Sequence, residues 1–354
     1  RSRRQRQMCI RDRHKGGVRM FKKKSFIMAF ILIISMIGMT ACKKNVGAPE
    51  DNAQAEENED ETNTEETQEH LIGFSVIDME NPYFITLESA AKAELEEDGY
   101  RMITKNPETD PQLQETQIQE MIDEGIEAII LSPVDWEKIT PSLQALKKAG
   151  VKIINVDTQV KEMEYVDAYI GSDNQKAGYI CGEDLITKCP DGGKIAILEC
   201  PTQNSINDRI TGFEEAIAQA ENGFEVVERM DTKGEFELAL EAAQKILEEH
   251  PDISAIMCGN DQLAVAAKAA VNVAELDNVI IYGVDGSPDI KKELKKPENQ
   301  IAGTAAQSPI NMGKQASLTA VQVLNGEEYE KEVYEDVFMI NRDNVDMYGT
   351  DGWQ

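Results

Sequence analysis

From about residue 70 onward, the chain alternates two hydrophobic periods. Short, nearly continuous apolar runs read LIGFSVID (71–78), AIILSP (128–133), VKIINVD (151–157), KIAILEC (194–200), ISAIMC (253–258) and VIIYGVD (279–285). Longer stretches between them space their apolar residues at helical intervals. These predict helices near 83–98, 112–124, 136–149, 175–187, 207–220, 235–249, 261–274 and 310–325, with a short one before Pro297. Apolar runs without alternation suit strands covered on both faces. Strands alternating with helices predict βαβ units and parallel sheets. Weaker strand signals fall at 100–104, 167–173, 224–230 and 301–307, with one closing segment near 333–341. The series restarts after Asp173, which predicts two sheets and hence two lobes with a cleft between them.

The stretch before residue 70 has a different character. Lys22, Lys23 and Lys24 precede an uncharged apolar run over 25–41, and Cys42 follows directly. A basic stretch, an apolar run and small residues before a cleavage point mark an export signal over 20–41. The run is shorter than the ~20 apolar residues of a spanning helix. Met39-Thr40-Ala41-Cys42 resembles a bacterial lipobox, which makes Cys42 the expected lipidation site and the membrane a partner through that anchor. Residues 1–19 stand ahead of a plausible start at Met20 and are expected to be non-native upstream sequence. Residues 43–69 carry ten Asp and Glu, two Lys and no aromatic side chain. Such a segment buries too little apolar surface to offset its ordering entropy, and 42–69 is expected to be a disordered acidic spacer.

Charge narrows the partners. Residues 1–42 hold 11 Lys and Arg and one Asp, which leaves 25 basic against 64 acidic residues beyond Cys42, a net charge of −39. So acidic a chain disfavours nucleic acid. No CxxC pair occurs, and of the histidines beyond Cys42, His70 lies far along the chain from any cysteine other than Cys42 and His250 stands eight residues before the lone Cys258, which is no zinc-ligand spacing. Neither a metal site nor a cofactor is expected. Cys200 and Cys258 end strands that neighbour each other if the second sheet runs 2-1-3-4-5. They are expected as two buried thiols, with a disulfide as the alternative.

In open parallel sheets, ligands sit beyond the carboxyl ends of the strands. Those positions hold Asn81, Tyr83 and Phe84 after the first strand, Ser132 and Asp135 after the third, and Asp157 and Thr158 after the fourth. In the second half they hold Arg209, Asn260, Asp285 and Gln307. Carboxylates accept two bonds from hydroxyls, Asn and Gln offer a donor and an acceptor, and Arg offers a fork of donors. Aromatic rings pack on the apolar faces of sugar rings. Singly, each residue has a structural role available: Asp157 or Asp285 as helix caps, Asn81 before Pro82 as a turn, Phe84 as core. Their recurrence at successive strand ends favours a polyol site.

The segments GFSVIDMENPYF, ILSPVDW, IINVDTQ, SDNQKAGYICGE, NDRITGFEEAI, CGNDQLAVAA, YGVDGSPD and AAQSPINMG resemble, in this order, those of ribose- and galactose-type periplasmic binding proteins. The resemblance covers about residues 71–341. It implies an α/β fold of the type I class: two Rossmann-like lobes with parallel sheets, joined by a three-strand hinge crossed near Asp173, Ala306 and Asp336. The lobes would comprise 70–173 with 307–336, and 174–306 with 337–354. It implies that Asn81, Asp157, Arg209, Asn260, Asp285 and Gln307 hydrogen-bond a monosaccharide, that Tyr83 and Phe84 face its ring, and that an ABC permease and ATPase receive it from a monomer. Three positions depart from ribose binders: Thr158 stands where Arg is common, Gly234 where an aromatic precedes the helix, and Ser132 where Asn is found. A larger or differently substituted ligand is the expectation, with Asp78, Glu80, Asp135 or Trp136 joining in. The alternative role is a ligand-sensing receptor of the same fold, which a chemoreceptor, kinase or quorum pathway would read. An enzyme is not expected: no GxGxxG turn or P-loop occurs, and paired carboxylates at strand ends of a hinged protein suit binding better than glycoside hydrolysis. A repressor would need a helix-turn-helix where the export signal stands.

Overall fold

The computed structural model describes residues 70–354. The expected export signal, the lipidated Cys42 and the acidic spacer lie outside the described residues. Two six-stranded sheets organise the rest. The first contains β1 (His70–Ser75), β2 (Tyr100–Lys105), β3 (Ala128–Leu131), β4 (Lys152–Val156), β5 (Ala168–Ser172) and β11 (Glu332–Glu335), in the order β11-β5-β4-β3-β1-β2. Every pairing in it is parallel. The second contains β6 (Gly193–Glu199), β7 (Phe224–Asp231), β8 (Ala255–Cys258), β9 (Ile280–Asp285), β10 (Ile301–Ala306) and β12 (Phe338–Asn341), in the order β12-β10-β9-β8-β6-β7. Here β12 alone runs antiparallel, against β10. The closing segment expected near 333–341 is therefore two strands, one on each sheet. The buried Val337 lies between them.

Helices α1 (Pro82–Glu97), α2 (Pro111–Asp123), α3 (Thr140–Ala149) and α9 (Pro309–Asn325) cover the first sheet. Helices α4 (Asn174–Lys188), α5 (Asn204–Ile217), α6 (Phe236–Glu249), α7 (Asp261–Val273) and α8 (Pro288–Leu294) cover the second. The alternation of side chains along each strand splits its residues between two faces. Ile72, Phe74, Ile130 and Ile154 pack under α1 and α9 with Leu87, Leu95 and Met312. Ile129, Leu131 and Ile153 pack on the opposite face with Met121 of α2 and Leu143 of α3. The second sheet repeats this, with Leu198 and Ile256 under α6 and α7, and Ile197 and Met257 under α4 and α5. Each fully buried Leu or Ile contributes about 1.5–3 kcal/mol, more than the ~1 kcal/mol of a typical helix cap. Burial on both faces thus sets the sheets, and capping trims the helix ends.

Two helix starts differ from the periodic pattern. The helix expected from 136 begins at Thr140, because Asp135 caps a preceding turn and Pro141 takes the first helical turn, where its missing N–H costs nothing. The helix expected from 207 begins at Asn204, which brings Ser205 onto it.

Helices α4 and α5 approach through paired glycines. A Cβ on Gly178 would lie 1.6 Å from the Arg209 carbonyl oxygen, and one on Gly212 would lie 1.8 Å from that of Gln175. The chain passes between the sheets three times: from β5 into α4, from β10 into α9, and from β11 into β12. In the second sheet β8 lies beside β6, with Leu198 paired to Cys258, and Cys200 follows two residues later. Cys181, Cys189, Cys200 and Cys258 are all free thiols, and the first, third and fourth are buried.

Candidate functional site

Both sheets point their strand carboxyl ends at one cleft. In the first sheet the order turns at β1, whose neighbours β2 and β3 lie on opposite sides, and the loop after β1 opens into the cleft. In the second sheet β6 holds the same place. The cleft encloses a cavity of about 310 Å3, within the size range of small-molecule sites.

Seven of the eleven expected ligand residues line this cavity: Asn81, Tyr83, Phe84, Asp157, Arg209, Asn260 and Asp285. Their placement follows from local chemistry. Asn81 and Asn260 are the N-caps of α1 and α7, accepting from the Tyr83 N–H at 2.9 Å and the Leu263 N–H at 3.0 Å. Capping fixes the side-chain carbonyls and leaves both amide groups as donors. Asp157 follows β4 and Asp285 ends β9, with φ of 59° and 138°. A non-glycine residue seldom holds such angles, and the cost is about 1–3 kcal/mol each. The turn it forces drives both carboxylates inward, where Asp157 is 5 % and Asp285 is 6 % exposed.

Arg209 on α5 stands between them. Its Nε donates to Asn174 Oδ1 at 2.8 Å and a terminal nitrogen donates to the Gly259 carbonyl at 2.9 Å. The guanidinium lies 3.9 Å from Asp157 and 3.7 Å from Asp285. Those separations neutralise charge without spending the carboxylates' acceptor sites on hydrogen bonds to the arginine. One guanidinium faces two buried carboxyls. Burial raises Asp157 above the usual carboxylate range, against the pull of Arg209. Burial also pushes Asp285 up to about 8, against Arg209 and aided by Asp261.

The sign of the pH effect follows. A carboxyl whose folded pKa exceeds its unfolded value of about 3.9 binds its proton more tightly when folded. Its stabilising contribution is complete below that value and is lost as pH rises through about 8 for Asp285. Urea unfolding of the ligand-free protein should therefore show wild type losing stability relative to Asp285→Asn between pH 5 and pH 9. A constant difference between the two proteins across that window would rule out the raised carboxyl.

The other four expected residues do not line the cavity. Gln307 is buried behind it and donates from Nε2 to Asp285 Oδ1 at 2.7 Å, so it holds the carboxylate in place. Thr158 Oγ1 meets Ser205 Oγ at 2.7 Å, joining the loop after β4 to α5 across the cleft. Asp135 accepts from the Glu137 and Lys138 N–H groups at 3.1 Å and from Lys138 Nζ at 2.6 Å. Ser132 is buried beside Gln114, which donates to its carbonyl at 3.0 Å. Asp78 and Glu80, considered from their strand end, do line the cavity, and Trp136 does not.

The cavity also takes in Gln203, Ser205, Lys233, Phe236 and Gln262, and carboxylates at Glu108, Glu235 and Glu237. Ser205 follows a strand end and was within reach of that rule. Phe236, two residues past Gly234, supplies a ring at the cavity wall. Nothing local marks Glu108 or Gln262, which reach the cleft only through the packing of their elements. Seven carboxylates and two cations, Arg209 and Lys233, line the cavity in all. Even with Asp285 protonated below about pH 8 and Asp157 shifted upward, Asp78, Glu80, Glu108, Glu235 and Glu237 outnumber the two cations, and that balance repels an anionic ligand.

Two α/β lobes linked by three crossings, with a polar cleft at their strand ends, define a hinged two-lobe binding protein. The chain belongs to the periplasmic binding protein domain family, which matches residues 72–328. It is 26 % identical over 307 residues to the ribose import binding protein RbsB of Bacillus subtilis, covering 86 % of this chain and 95 % of that protein. An ABC transporter solute binding protein from Mycobacterium smegmatis with bound glycerol has a similar structure, with a TM-score of 0.74 and 28 % identity over 79 % of this chain and 96 % of that one. So does one from Actinobacillus succinogenes with bound D-allose, with a TM-score of 0.72 and 26 % identity over 79 % of this chain and all (100 %) of that one. Like these relatives, the protein binds its ligand and is not an enzyme.

Proposed function

We propose that this protein is the extracytoplasmic solute-binding component of an ABC importer, taking a neutral monosaccharide or sugar-like polyol in its interlobe cleft and presenting it to the permease. The observation that carries this reading is the pair of buried carboxylates, Asp157 and Asp285, flanking Arg209 at strand ends of opposite sheets. A hydroxyl donates to a carboxylate and accepts from a guanidinium in the same plane, so this trio suits a ring with adjacent hydroxyls. The capped Asn81 and Asn260 add donors, and Phe84 and Phe236 add apolar faces. The excess of carboxylates along the wall speaks for a neutral ligand over a phosphorylated or acidic sugar. The ribose-, allose- and glycerol-binding relatives support the same class.

The mechanism is closure. The body of 70–173 with 307–336 and that of 174–306 with 337–354 swing about the three crossings. Only the closed form touches the ligand from both sides, so binding shifts the population toward it. The Thr158–Ser205 contact and the hydrogen bond from the Trp136 N–H to the Thr202 carbonyl at 3.0 Å are made between the lobes and would break on opening. Lipidation of Cys42 and the acidic spacer would tether the body to the membrane near the permease.

A thermal-shift screen of pentoses, hexoses and cyclitols, followed by calorimetric titration of each hit, tests the reading. At least one neutral member should bind, its phosphorylated counterpart should not, and Asp285→Ala should weaken the hit about a hundredfold or more. Binding confined to sugar phosphates, or unaffected by Asp285→Ala, would overturn it.

A further inference from the structure

Beside the polar cavity lies a second one of about 390 Å3 with a different lining. Asn81, Phe236, Gln262 and Asp285 border both, so the two spaces adjoin along these residues. Pro82, Val265, Pro288 and Trp353 line the annexe but not the polar cavity, alongside Asp261, Ser287 and Asp289. With Phe236, the two prolines, Val265 and Trp353 give it a more apolar surface than that of the polar cavity.

Trp353 is held there by the last residues of the chain. Its ring meets Tyr83 edge-on at 5.8 Å. Gln354 donates from Nε2 to the Gly286 carbonyl at 2.8 Å, and its own carbonyl accepts from Ser308 Oγ. Lys291 is fully buried (0 % exposed) and donates to the Gly352 carbonyl and to Gln354 Oε1, both at 2.6 Å. Burying a lysine is costly unless its donors are met. Here they are met by the segment that carries Trp353, so that segment is tied to the second lobe through Lys291 and Gly286 while its ring packs against Tyr83 of the first. At position 234 a side chain would meet Gln203 Nε2 at 2.9 Å and would have to adopt φ of 80°. Position 234 therefore carries no ring; Phe236 borders both cavities, and Trp353 lines the annexe.

We propose that the annexe is a second subsite, which takes an apolar-faced substituent attached to the polyol: the aglycone or second ring of a glycoside. The proposal rests on the polyol reading of the polar cavity. A free monosaccharide fills only the polar side. A glycoside would add apolar area against Phe236 and Trp353, with Asp285 and Gln262 at the junction of its two parts.

The test pairs each free sugar that binds, among D-ribose, D-allose and D-galactose, with its phenyl glycoside, and pairs D-galactose also with a disaccharide that it forms. Calorimetry reads the ratio of affinities within each pair. Wild type should favour at least one substituted member by about tenfold or more, and Trp353→Ala should bring that ratio close to one. The phenyl and disaccharide arms distinguish an aglycone from a second sugar ring. In a Trp136→Phe background Trp353 is the sole tryptophan. Its emission should shift with the substituted ligand and stay constant with the free sugar, a readout independent of folding losses in the alanine variant. Free sugars that bind while every substituted partner binds equally or worse would overturn the subsite and leave the polyol reading standing. Failure of every free and substituted sugar would remove both.

Discussion

Arg209→Gln is expected to abolish measurable ligand binding and to destabilise the ligand-free protein by about 3–5 kcal/mol, the usual cost of removing one partner from a buried charge cluster. Four interactions end together: the hydrogen bonds to Asn174 and Gly259 and the charge pairing with Asp157 and Asp285. Without the guanidinium both carboxyls move further up, because burial and their mutual repulsion then act unopposed. The neutral, protonated form becomes the favoured one, so the loss should be larger at pH 8 than at pH 5. Urea unfolding of the variant at both pH values, beside titration with the hit sugar at each, measures this. An equal loss at the two pH values would show that Arg209 acts through packing and hydrogen bonds alone. Retained affinity would remove it from the site.

Gly178→Ala carries the second large effect, and it acts at a distance from any ligand. The new methyl would sit 1.6 Å from the Arg209 carbonyl oxygen. No rotamer relieves a clash with backbone, so α4 and α5 must separate. Overpacking of this kind costs about 1–3 kcal/mol or more. Because the clashing carbonyl belongs to Arg209 itself, the displacement also moves the guanidinium relative to Asp157 and Asp285. Thermal unfolding should show a clear drop in midpoint, and the affinity that survives should be weakened about tenfold or more. A variant with wild-type stability would mean that the two helices do not meet through this glycine. One that loses stability but binds as wild type would show that the α4–α5 spacing does not set the position of the arginine.

Much of the architecture was legible because it is written in local period. Continuous apolar runs such as AIIL and KIINV are strands covered on both faces, and the amphipathic stretches between them are the covering helices. The closing segment carries no pattern that reveals two strands, because its two halves, Glu332–Glu335 and Phe338–Asn341, are short and close together; the crossing near Asp336 came from the family resemblance. Only their partner strands, β5 for the first half and β10 for the second, distinguish them. The early start of α5 escaped the periodic reading for a similar reason: its first turn faces the cleft and carries polar residues.

The site divides in the same way. Asp157, Asp285, Asn81 and Asn260 were found by the strand-end rule because a βα turn gives the same role to whatever residue follows the strand. That rule also chose Ser132, Asp135, Thr158 and Gln307, which the structure sets behind or beside the cavity. A strand-end residue can face the ligand or brace the loop that does, and sequence position is the same in both cases. Gln307 braces Asp285, and Thr158 reaches across to Ser205. By itself, then, the sequence determined the two α/β lobes, the polar character of their facing ends and the acidic balance of the chain, since each depends on composition and short-range period. The tertiary structure alone decided which polar residues converge on one cavity, placed Arg209 midway between two carboxylates from different sheets, and brought Trp353 from the chain's last turn beside Tyr83. These depend on pairings between segments far apart in the chain, which no local pattern records.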